Sequence, residues 1–173
     1  MIVVLIGYMA SGKSSLGKVL ARSLNYNFID LDDFIETKEK MAVKTIFDTK
    51  GEIYFRKLES QYLQDIMQHV SHTVLSLGGG TPCYASNMST ILDSVNVKSI
   101  YLKASIPSLV SRLKKEKMKR PLISHIKTDH ELIEFIGKHL FERSPYYDQA
   151  HVKINTDNKS LEEIVEEMLK VLI

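Results

Sequence analysis

The 173-residue sequence has few of the features that mark secreted, membrane and disulfide-stabilised proteins. It contains a single cysteine, Cys83, which excludes an internal disulfide and fits a reducing compartment. No apolar run approaches the roughly 18 residues that a membrane helix needs. The N-terminus lacks the basic region of a signal peptide. These absences predict a soluble, cytoplasmic protein with no membrane partner.

Charge and histidine content argue against two further kinds of site. The formal net charge of +2 is too small to imply a nucleic-acid partner by itself. The six histidines show no metal-ligand spacing, which argues against a metal site built from protein ligands alone. The sequence has no linker, internal repeat or low-complexity stretch, so residues 1–173 are predicted to form a single domain. We expect a monomer.

Strand and helix patterns alternate along the chain. Helical spacing of apolar residues fills the intervals between apolar runs, and Thr128 and Ser160 are each followed three residues later by a glutamate, as in a capping box. This alternation predicts an α/β fold with a five-stranded parallel sheet, helices on both faces, and a ligand site beyond the carboxyl ends of the strands. The runs typical of buried parallel strands lie at residues 2–6, 27–30, 73–77, 97–102 and 152–154.

Two intervals break this alternation. Residues 31–70 hold far more helix than one crossover requires, so we expect the excess to form a separate lobe over the sheet edge. Residues 114–127 are charged and interrupted by proline, which is typical of a mobile flap. Together the two intervals predict a core, an acceptor-binding lobe and a lid that excludes water, which is the layout of a kinase.

A complete phosphate-binding loop directly follows the first predicted strand. The sequence Gly7-Tyr8-Met9-Ala10-Ser11-Gly12-Lys13-Ser14 has the spacing of a P-loop, or Walker A motif, and helical spacing continues behind it. Backbone N–H groups in such a loop surround an anion, and the next helix points its positive end at the same place. Lys13 would supply charge to the β/γ-phosphate oxygens, and Ser14 a hydroxyl to Mg²⁺. The residues predicted to bind a nucleoside triphosphate are Gly7, Met9, Ala10, Ser11, Gly12, Lys13, Ser14 and Ser15.

The P-loop alone permits small-molecule kinases, GTPases and motor ATPases. The chain is too short for a motor. Guanine specificity usually requires Asn-Lys-x-Asp, and the nearest string, Asn155-Thr156-Asp157-Asn158, lacks the lysine. Small-molecule kinases therefore remain the favoured class.

Two carboxylates follow the second strand, in Phe28-Ile29-Asp30-Leu31-Asp32-Asp33. Asp30 and Asp32 lie two apart, so on an extended chain they point to the same side beyond the strand end. One carboxylate near Mg²⁺ and another touching an acceptor hydroxyl would suit phosphoryl transfer. The alternative is that these acids cap the following helix, a role that suits Asp33 best.

The third strand runs into Gly78-Gly79-Gly80. Three consecutive glycines expose backbone N–H groups without side chains, which suits close approach of a polar ligand; a plain tight turn is the alternative. The strand lacks the aspartate of a Walker B motif, since Ser76 and the glycines stand at its end. Mg²⁺ is therefore expected to rely on Ser14 and Asp30, the latter through water.

Two isolated arginines complete the candidate site. Arg56 lies in the predicted extra lobe, and Arg143 lies in the string Glu142-Arg143-Ser144-Pro145. An arginine fork pairs bidentately with a carboxylate, so two converging arginines would hold an anionic acceptor. Solvation at the surface is the alternative for each, and the sequence pattern does not decide between them.

Taken together, these motifs resemble those of the shikimate kinase family, from Met1 to about Leu172. Apart from the P-loop each motif is weak alone, but all of them in order and at appropriate spacing are specific. The resemblance implies a P-loop kinase fold and ATP-dependent phosphorylation of the shikimate 3-hydroxyl to 3-phosphoshikimate in the chorismate pathway. The matching elements are Gly7 to Ser14, Asp30-x-Asp32, Gly51-Glu52-x-x-Phe55-Arg56, Gly78-Gly79-Gly80, Arg120-Pro121-Leu122 and Arg143-x-x-Tyr146.

The resemblance also implies roles for single residues. Asp32 would contact the reacting hydroxyl and serve as the base, Asp30 would hold Mg²⁺ through water, and Lys13 and Arg120 would neutralise the ATP phosphates. An arginine upstream of the lid would partly cover adenine; Arg112 is the nearest candidate, and a loop at about residues 155–158 would complete that subsite. The residues implied in shikimate binding are Asp32, Arg56, Gly78, Gly79, Gly80 and Arg143.

Three other functions stay open at this point. A gluconate kinase or a nucleoside monophosphate kinase would share the P-loop, although paired arginines favour a carboxylate acceptor. A kinase-like domain that senses ligand without turnover would not need an intact set of Lys13, Ser14, Asp32 and Arg120. The basic residues of the segment 114–120 could face nucleic acid, but no aromatic residues are interleaved with them, so we predict no nucleic-acid partner.

Overall fold

The computed structural model describes residues 1–120 and 122–173, and within them strands and helices alternate as predicted. No helix in this part of the chain is both long and apolar enough to cross a membrane. Each strand ends within one residue of its predicted bounds. The strands are β1 (Ile2–Ile6), β2 (Asn27–Asp30), β3 (Thr73–Ser76), β4 (Val97–Lys103) and β5 (Val152–Asn155). The helices are α1 (Lys13–Leu24), α2 (Leu31–Glu39), α3 (Val43–Lys50), α4 (Glu52–His69), α5 (Asn87–Asp93), α6 (Ile106–Glu116), α7 (Asp129–Tyr147) and α8 (Leu161–Leu172).

The five strands form one parallel sheet in the order β2-β3-β1-β4-β5, which confirms the predicted fold class. The central strand β1 is apolar throughout and fully buried, as a strand covered on both faces requires. After β1 the chain enters α1 on one face, whereas after β3 it enters α5 on the other. A crevice therefore opens between the carboxyl ends of β1 and β3, where parallel sheets bind their ligands.

Two hydrophobic cores lie on opposite faces of the sheet, and alternate residues of β1 belong to each. Ile2, Val4 and Ile6 pack into the larger core, together with residues of α2 to α7. Val3 and Leu5 pack into the smaller core, with residues of α1 and α8. The period-two alternation of a strand thus anchors the loop after β1 from both sides.

Side chains fix the starts of the later helices. Ser160 and Glu163 form the predicted capping box, with the Ser160 Oγ accepting from the Glu163 N–H and the Glu163 carboxylate accepting from the Ser160 N–H. At Thr128 only the first of these bonds forms. Glu131 instead accepts from the N–H of Lys127, one residue earlier, so the capping-box prediction was wrong in its second bond.

The end of β2 differs from the sequence prediction. The strand stops at Asp30 and α2 begins at Leu31, so Asp32 lies in a helical turn rather than on extended chain. The helix cap is Asp30, whose carboxylate accepts from the Asp32 N–H at 3.1 Å; assigning that role to Asp33 was wrong. Asp30 and Asp32 still face the same space, since both line one cavity.

Residues 31–70 form the helices α2, α3 and α4, and residues 114–127 run from the end of α6 to the start of α7. The buried side chains of α2 to α4 belong to the larger core, which also contains the alternate residues of β1. In the second segment, Ile123 and Ile126 are 0% and 4% exposed and belong to the same core. Pro121, part of the Arg120-Pro121-Leu122 motif, lies outside the described residues. The acceptor lobe and the lid remain predictions.

Candidate active site

A cavity of about 600 Å³ opens at the carboxyl ends of the strands. Residues predicted from the sequence provide most of its lining: Met9, Ala10, Ser11, Gly12, Lys13, Ser14, Ser15, Asp30, Asp32, Gly78, Gly79, Arg112 and Arg120. Thr156 of the predicted adenine loop also lines it, together with residues that the sequence did not assign to the site: Leu16, Ser76, Leu77, Glu116, Lys159, Leu161 and Ile164. The remaining predicted residues, Gly7, Arg56, Gly80 and Arg143, do not line this cavity.

The loop after β1 has the geometry of an anion cradle. Gly12 has a φ of 94°, a left-handed conformation that favours glycine, and it stands directly before α1. The Lys13 Nζ donates to the carbonyls of Gly7 and Tyr8 at 2.8 and 2.9 Å, so the ammonium closes the loop on itself. The Ser11 hydroxyl is buried and has no partner among the described residues. An anion held by the loop N–H groups would sit beside that hydroxyl and the ammonium.

Two oxygen ligands suited to Mg²⁺ meet beside this loop. The Ser14 hydroxyl donates to the Asp30 carboxylate at 2.9 Å. Asp30 is paired in register with Ser76 of β3, so its carboxylate stands next to the strand where a Walker B aspartate would lie. No group of three or more histidine, cysteine or acidic side chains that could hold a metal occurs among the described residues. Ser14 and Asp30 therefore fit an ion that takes its remaining ligands from phosphate and water.

The three glycines after β3 leave space for three side chains of the protein itself. None of the three has a positive φ, so Gly78–Gly80 are required for close approach rather than for backbone conformation. A β-carbon would lie 3.3 Å from Asp32 at the first glycine and 3.2 Å from Arg143 at the second. At the third it would lie 2.6 Å from Arg56. The glycine loop thus brings together the carboxylate and both arginines predicted to contact the acceptor.

Arg56 is held by groups that the sequence analysis missed. Its guanidinium donates to Glu59 at 2.8 Å, and the other oxygen of Glu59 accepts from the Thr81 hydroxyl at 2.7 Å. The ring of Tyr84 lies 4.0 Å from the guanidinium, within the range of a cation–π contact. Glu59 is 1% exposed and lies on the buried stripe of α4, four residues after Phe55. A charged residue on that stripe was the signal that could have revealed it.

Arg143 reaches the glycine loop from α7. Tyr146, the last residue of the Arg143-x-x-Tyr146 motif, is 38% exposed. The next residue, Tyr147, is the one that is fully buried beneath the site. On a helix, residues four apart lie closer to one face than residues three apart. Tyr147, four residues after Arg143, therefore shares the buried face with it more closely than Tyr146 does.

Two further arginines, Arg112 and Arg120, line the cavity. Arg112 donates to the Ala10 carbonyl at 3.1 Å, which places it over the P-loop. Arg120 pairs with Glu116, its Nε lying 2.7 Å from the carboxylate. This ion pair is partly exposed, so it contributes little to stability and leaves Arg120 available to another anion. Of the predicted adenine loop at 155–158, Thr156 lines the cavity.

Burial and neighbouring charges shift the pKa values of Asp32 and Lys13 in this site. Burial, and then the Asp30 and Glu59 carboxylates, raise the pKa of Asp32 to about 6, against the opposing effect of Lys13 and Arg56. Burial lowers the pKa of Lys13 to about 8, although Asp30 and Asp32 oppose that change. At neutral pH Asp32 is therefore mostly ionised but poised to accept a proton, and Lys13 is mostly charged.

Comparison with known proteins identifies relatives along almost the whole chain. The family model described as shikimate kinase matches residues 9–173. The shikimate kinases of Flavobacterium psychrophilum and Flavobacterium johnsoniae are 47% and 44% identical to the chain, each alignment covering 98% of both proteins. The solved shikimate kinase from Bacteroides thetaiotaomicron is 36% identical with a TM-score of 0.91, covering 99% of this chain and 98% of its own. A shikimate kinase from Acinetobacter baumannii, solved in complex with shikimate, is 27% identical with a TM-score of 0.85, covering 99% and 92%.

The raised pKa of Asp32 predicts that Asp32→Asn stabilises the folded protein at neutral pH. Ionising Asp32 costs more in the folded state than in the unfolded state, so the penalty is absent below about pH 4 and complete above about pH 6. A rise from 3.8 to about 6 corresponds to at most about 3 kcal/mol, and partial exposure reduces it to about 1–2 kcal/mol. Urea unfolding at pH 7.5 should show this gain, and at pH 4.5 the gain should be much smaller.

Asp93→Asn, at an exposed position on α5, is the matched control and should change stability little at either pH. A destabilised Asp32→Asn protein at pH 7.5 would show that the carboxylate contributes favourable contacts that outweigh its burial.

Proposed function

The chain belongs to the shikimate kinase family, and from this membership we propose that it transfers the γ-phosphoryl group of ATP to the 3-hydroxyl of shikimate. The products are 3-phosphoshikimate and ADP. The observation that carries the proposal is the convergence of Asp32, Arg56 and Arg143 on the glycine loop, at the end of the crevice that the P-loop occupies. A base beside two cations suits an acceptor that has both a hydroxyl and a carboxylate.

Two sets of groups bind the two substrates in this proposal. The P-loop N–H groups and Lys13 hold the ATP phosphates, and Arg120 neutralises them once it leaves Glu116. Arg112 and Thr156, which both line the cavity, are the residues proposed to contact adenine. Arg56 and Arg143 pair with the shikimate carboxylate, since a guanidinium fork matches its two oxygens.

The chemical step places the reacting hydroxyl next to Asp32. The hydroxyl oxygen forms a bond to the γ-phosphorus as the bond to the ADP oxygen breaks. The hydroxyl proton passes to the Asp32 carboxylate, whose raised pKa makes it a stronger base than an exposed aspartate. The residues that would hold Mg²⁺ are Ser14 and Asp30, and the ion would supply positive charge to the phosphate oxygens.

Residues 114–127 are proposed to close over the bound substrates and exclude water. Ile123 and Ile126 pack in the larger core, which opposes movement of that end of the segment. Closure would separate Arg120 from Glu116 and direct it to the phosphates. The monomeric state, the cytoplasmic location and the absence of a nucleic-acid partner stay predictions from the sequence.

An acceptor panel tests the proposed function. We expect ATP-dependent ADP release, measured in a coupled assay, with shikimate and not with gluconate or AMP. Turnover of gluconate or AMP instead would assign a different kinase activity, and ligand binding without ADP release would assign a sensor. Lys13→Ala should reduce turnover by orders of magnitude in a folded protein, and it controls for a contaminating kinase.

Arg143→Ala should weaken shikimate binding by about ten- to a hundred-fold with little change in ATP affinity, because a hydrogen bond to a charged group is lost. Isothermal calorimetry measures both affinities. Arg143→Lys should recover only part of the loss, since a point charge cannot replace the fork. Arg56→Ala is a less clean test because it also leaves Glu59 buried without its cation. Normal shikimate affinity in Arg143→Ala would remove this residue from the carboxylate site.

Asp32→Asn should lower kcat by at least about a hundred-fold while changing the Kd for shikimate much less, because it removes the base but keeps the size of the side chain. Steady-state kinetics and calorimetry separate the two effects. Asp33→Asn, at the exposed neighbouring position, is the matched control and should be close to unmodified enzyme. Nearly full kcat in Asp32→Asn would reduce Asp32 to a binding contact.

A further inference from the structure

Tyr147 is a buried polar group next to the glycine loop that has no part in the proposed chemistry. It is the last residue of α7, is 0% exposed, and its ring lies 5.2 Å from the ring of Tyr101 on β4. A phenol buried this completely needs a partner for its hydroxyl, because an unpaired buried donor costs free energy. Its two polar neighbours, Gly79 and Arg143, both belong to the predicted acceptor site.

The Tyr147 hydroxyl connects Arg143 to the glycine loop. It donates to the carbonyl of Gly79. Burial raises the pKa of the Tyr147 phenol, and the Arg143 guanidinium, one helical turn earlier on α7, opposes that rise because it lies beside the phenol. The same guanidinium lies next to Gly79, since a β-carbon there would be 3.2 Å from its Nη1. The guanidinium, the phenol and the Gly79 carbonyl therefore meet at one peptide.

The Gly79 carbonyl matters because of the peptide plane that it belongs to. The same plane carries the Gly80 N–H, so fixing the carbonyl also fixes the direction of that donor. Glycine lets a peptide rotate more freely than any other residue, so this plane needs an external restraint. A β-carbon at Gly79 would lie 3.2 Å from Arg143 and 3.5 Å from the Met9 N–H, which places this peptide between the arginine and the P-loop.

A second contact holds α7 on the other side of Arg143. His139, four residues before Arg143, hydrogen-bonds through Nδ1 to the Tyr8 hydroxyl at 2.9 Å. Tyr8 belongs to the P-loop and is 1% exposed. This contact does not involve Tyr147, so the helix stays anchored when the Tyr147 hydroxyl is removed. The effect of the hydroxyl on Arg143 can therefore be isolated.

We propose that Tyr147 is a positioning residue for the acceptor site, whose hydroxyl fixes the Arg143 guanidinium and the Gly79–Gly80 peptide in the geometry that receives the acceptor carboxylate. The inference rests on the proposed function of this site. Tyr147 acts through Arg143 and the loop rather than by touching the substrate. Its loss should therefore appear in acceptor binding more than in the chemical step.

Tyr147→Phe removes the hydroxyl and keeps the ring that packs on Tyr101. We expect the Kd and KM for shikimate to rise about ten-fold, because the Gly79 carbonyl loses its donor and the Arg143 guanidinium loses the polar group beside it. The KM for ATP should stay within about two-fold of the unmodified value, and kcat should fall much less than in Asp32→Asn. Tyr146→Phe is the matched control at the exposed neighbouring tyrosine, and it should leave all three constants unchanged.

A double-mutant cycle distinguishes positioning from a general packing effect. If Tyr147 acts through Arg143, its removal should weaken shikimate binding much less in an Arg143→Lys protein than in the unmodified one. Additive losses would overturn the inference, as would equal weakening of ATP and shikimate together with a lowered melting temperature. Unchanged shikimate binding in Tyr147→Phe, with an active unmodified enzyme, would also overturn it. An unmodified protein that does not turn over shikimate would instead overturn the proposed function on which it rests.

Discussion

The acceptor site depends on the absence of side chains at Gly78–Gly80. These glycines stand where the chain leaves β3 for one face of the sheet while the P-loop leaves β1 for the other. A β-carbon at any of the three would meet a charged side chain at 3.3 Å or less. Asp32 from α2, Arg56 from α4 and Arg143 from α7 can approach this backbone closely because it carries no β-carbons.

The convergence of these side chains concentrates charged groups in a partly buried site. Asp32 lies among two other carboxylates, Asp30 and Glu59, and two cations, Lys13 and Arg56, and the net effect is a raised pKa. The same environment that makes Asp32 a better base opposes its ionisation in the folded protein. Stability and the proposed proton transfer thus compete at a single side chain, as is common where a site requires a perturbed ionisable group.

Local patterns in the sequence predicted the sheet, the P-loop and the bounds of the strands, because each depends on residues that are near in sequence. The direction of Asp32 was argued from an extended chain, and this was wrong because α2 begins one residue after Asp30. Glu59 and Tyr147 were missed for another reason. Helical spacing shows that such positions are buried, but their partners, Thr81 and Gly79, lie 22 and 68 residues away in the chain. Only the packing of helices on the sheet brings those pairs together.

The two arginines of the proposed clamp are held by different kinds of partner, and this difference bears on which of them attracts the acceptor. Arg56 forms an ion pair with the buried Glu59, so much of its charge is already balanced. Arg143 lies beside the neutral phenol of Tyr147, and none of the ion pairs among the described residues includes it. An arriving carboxylate gains more from a cation that is not already paired. Arg143 should thus supply most of the attraction, while Arg56, fixed by Glu59 and Tyr84, supplies orientation.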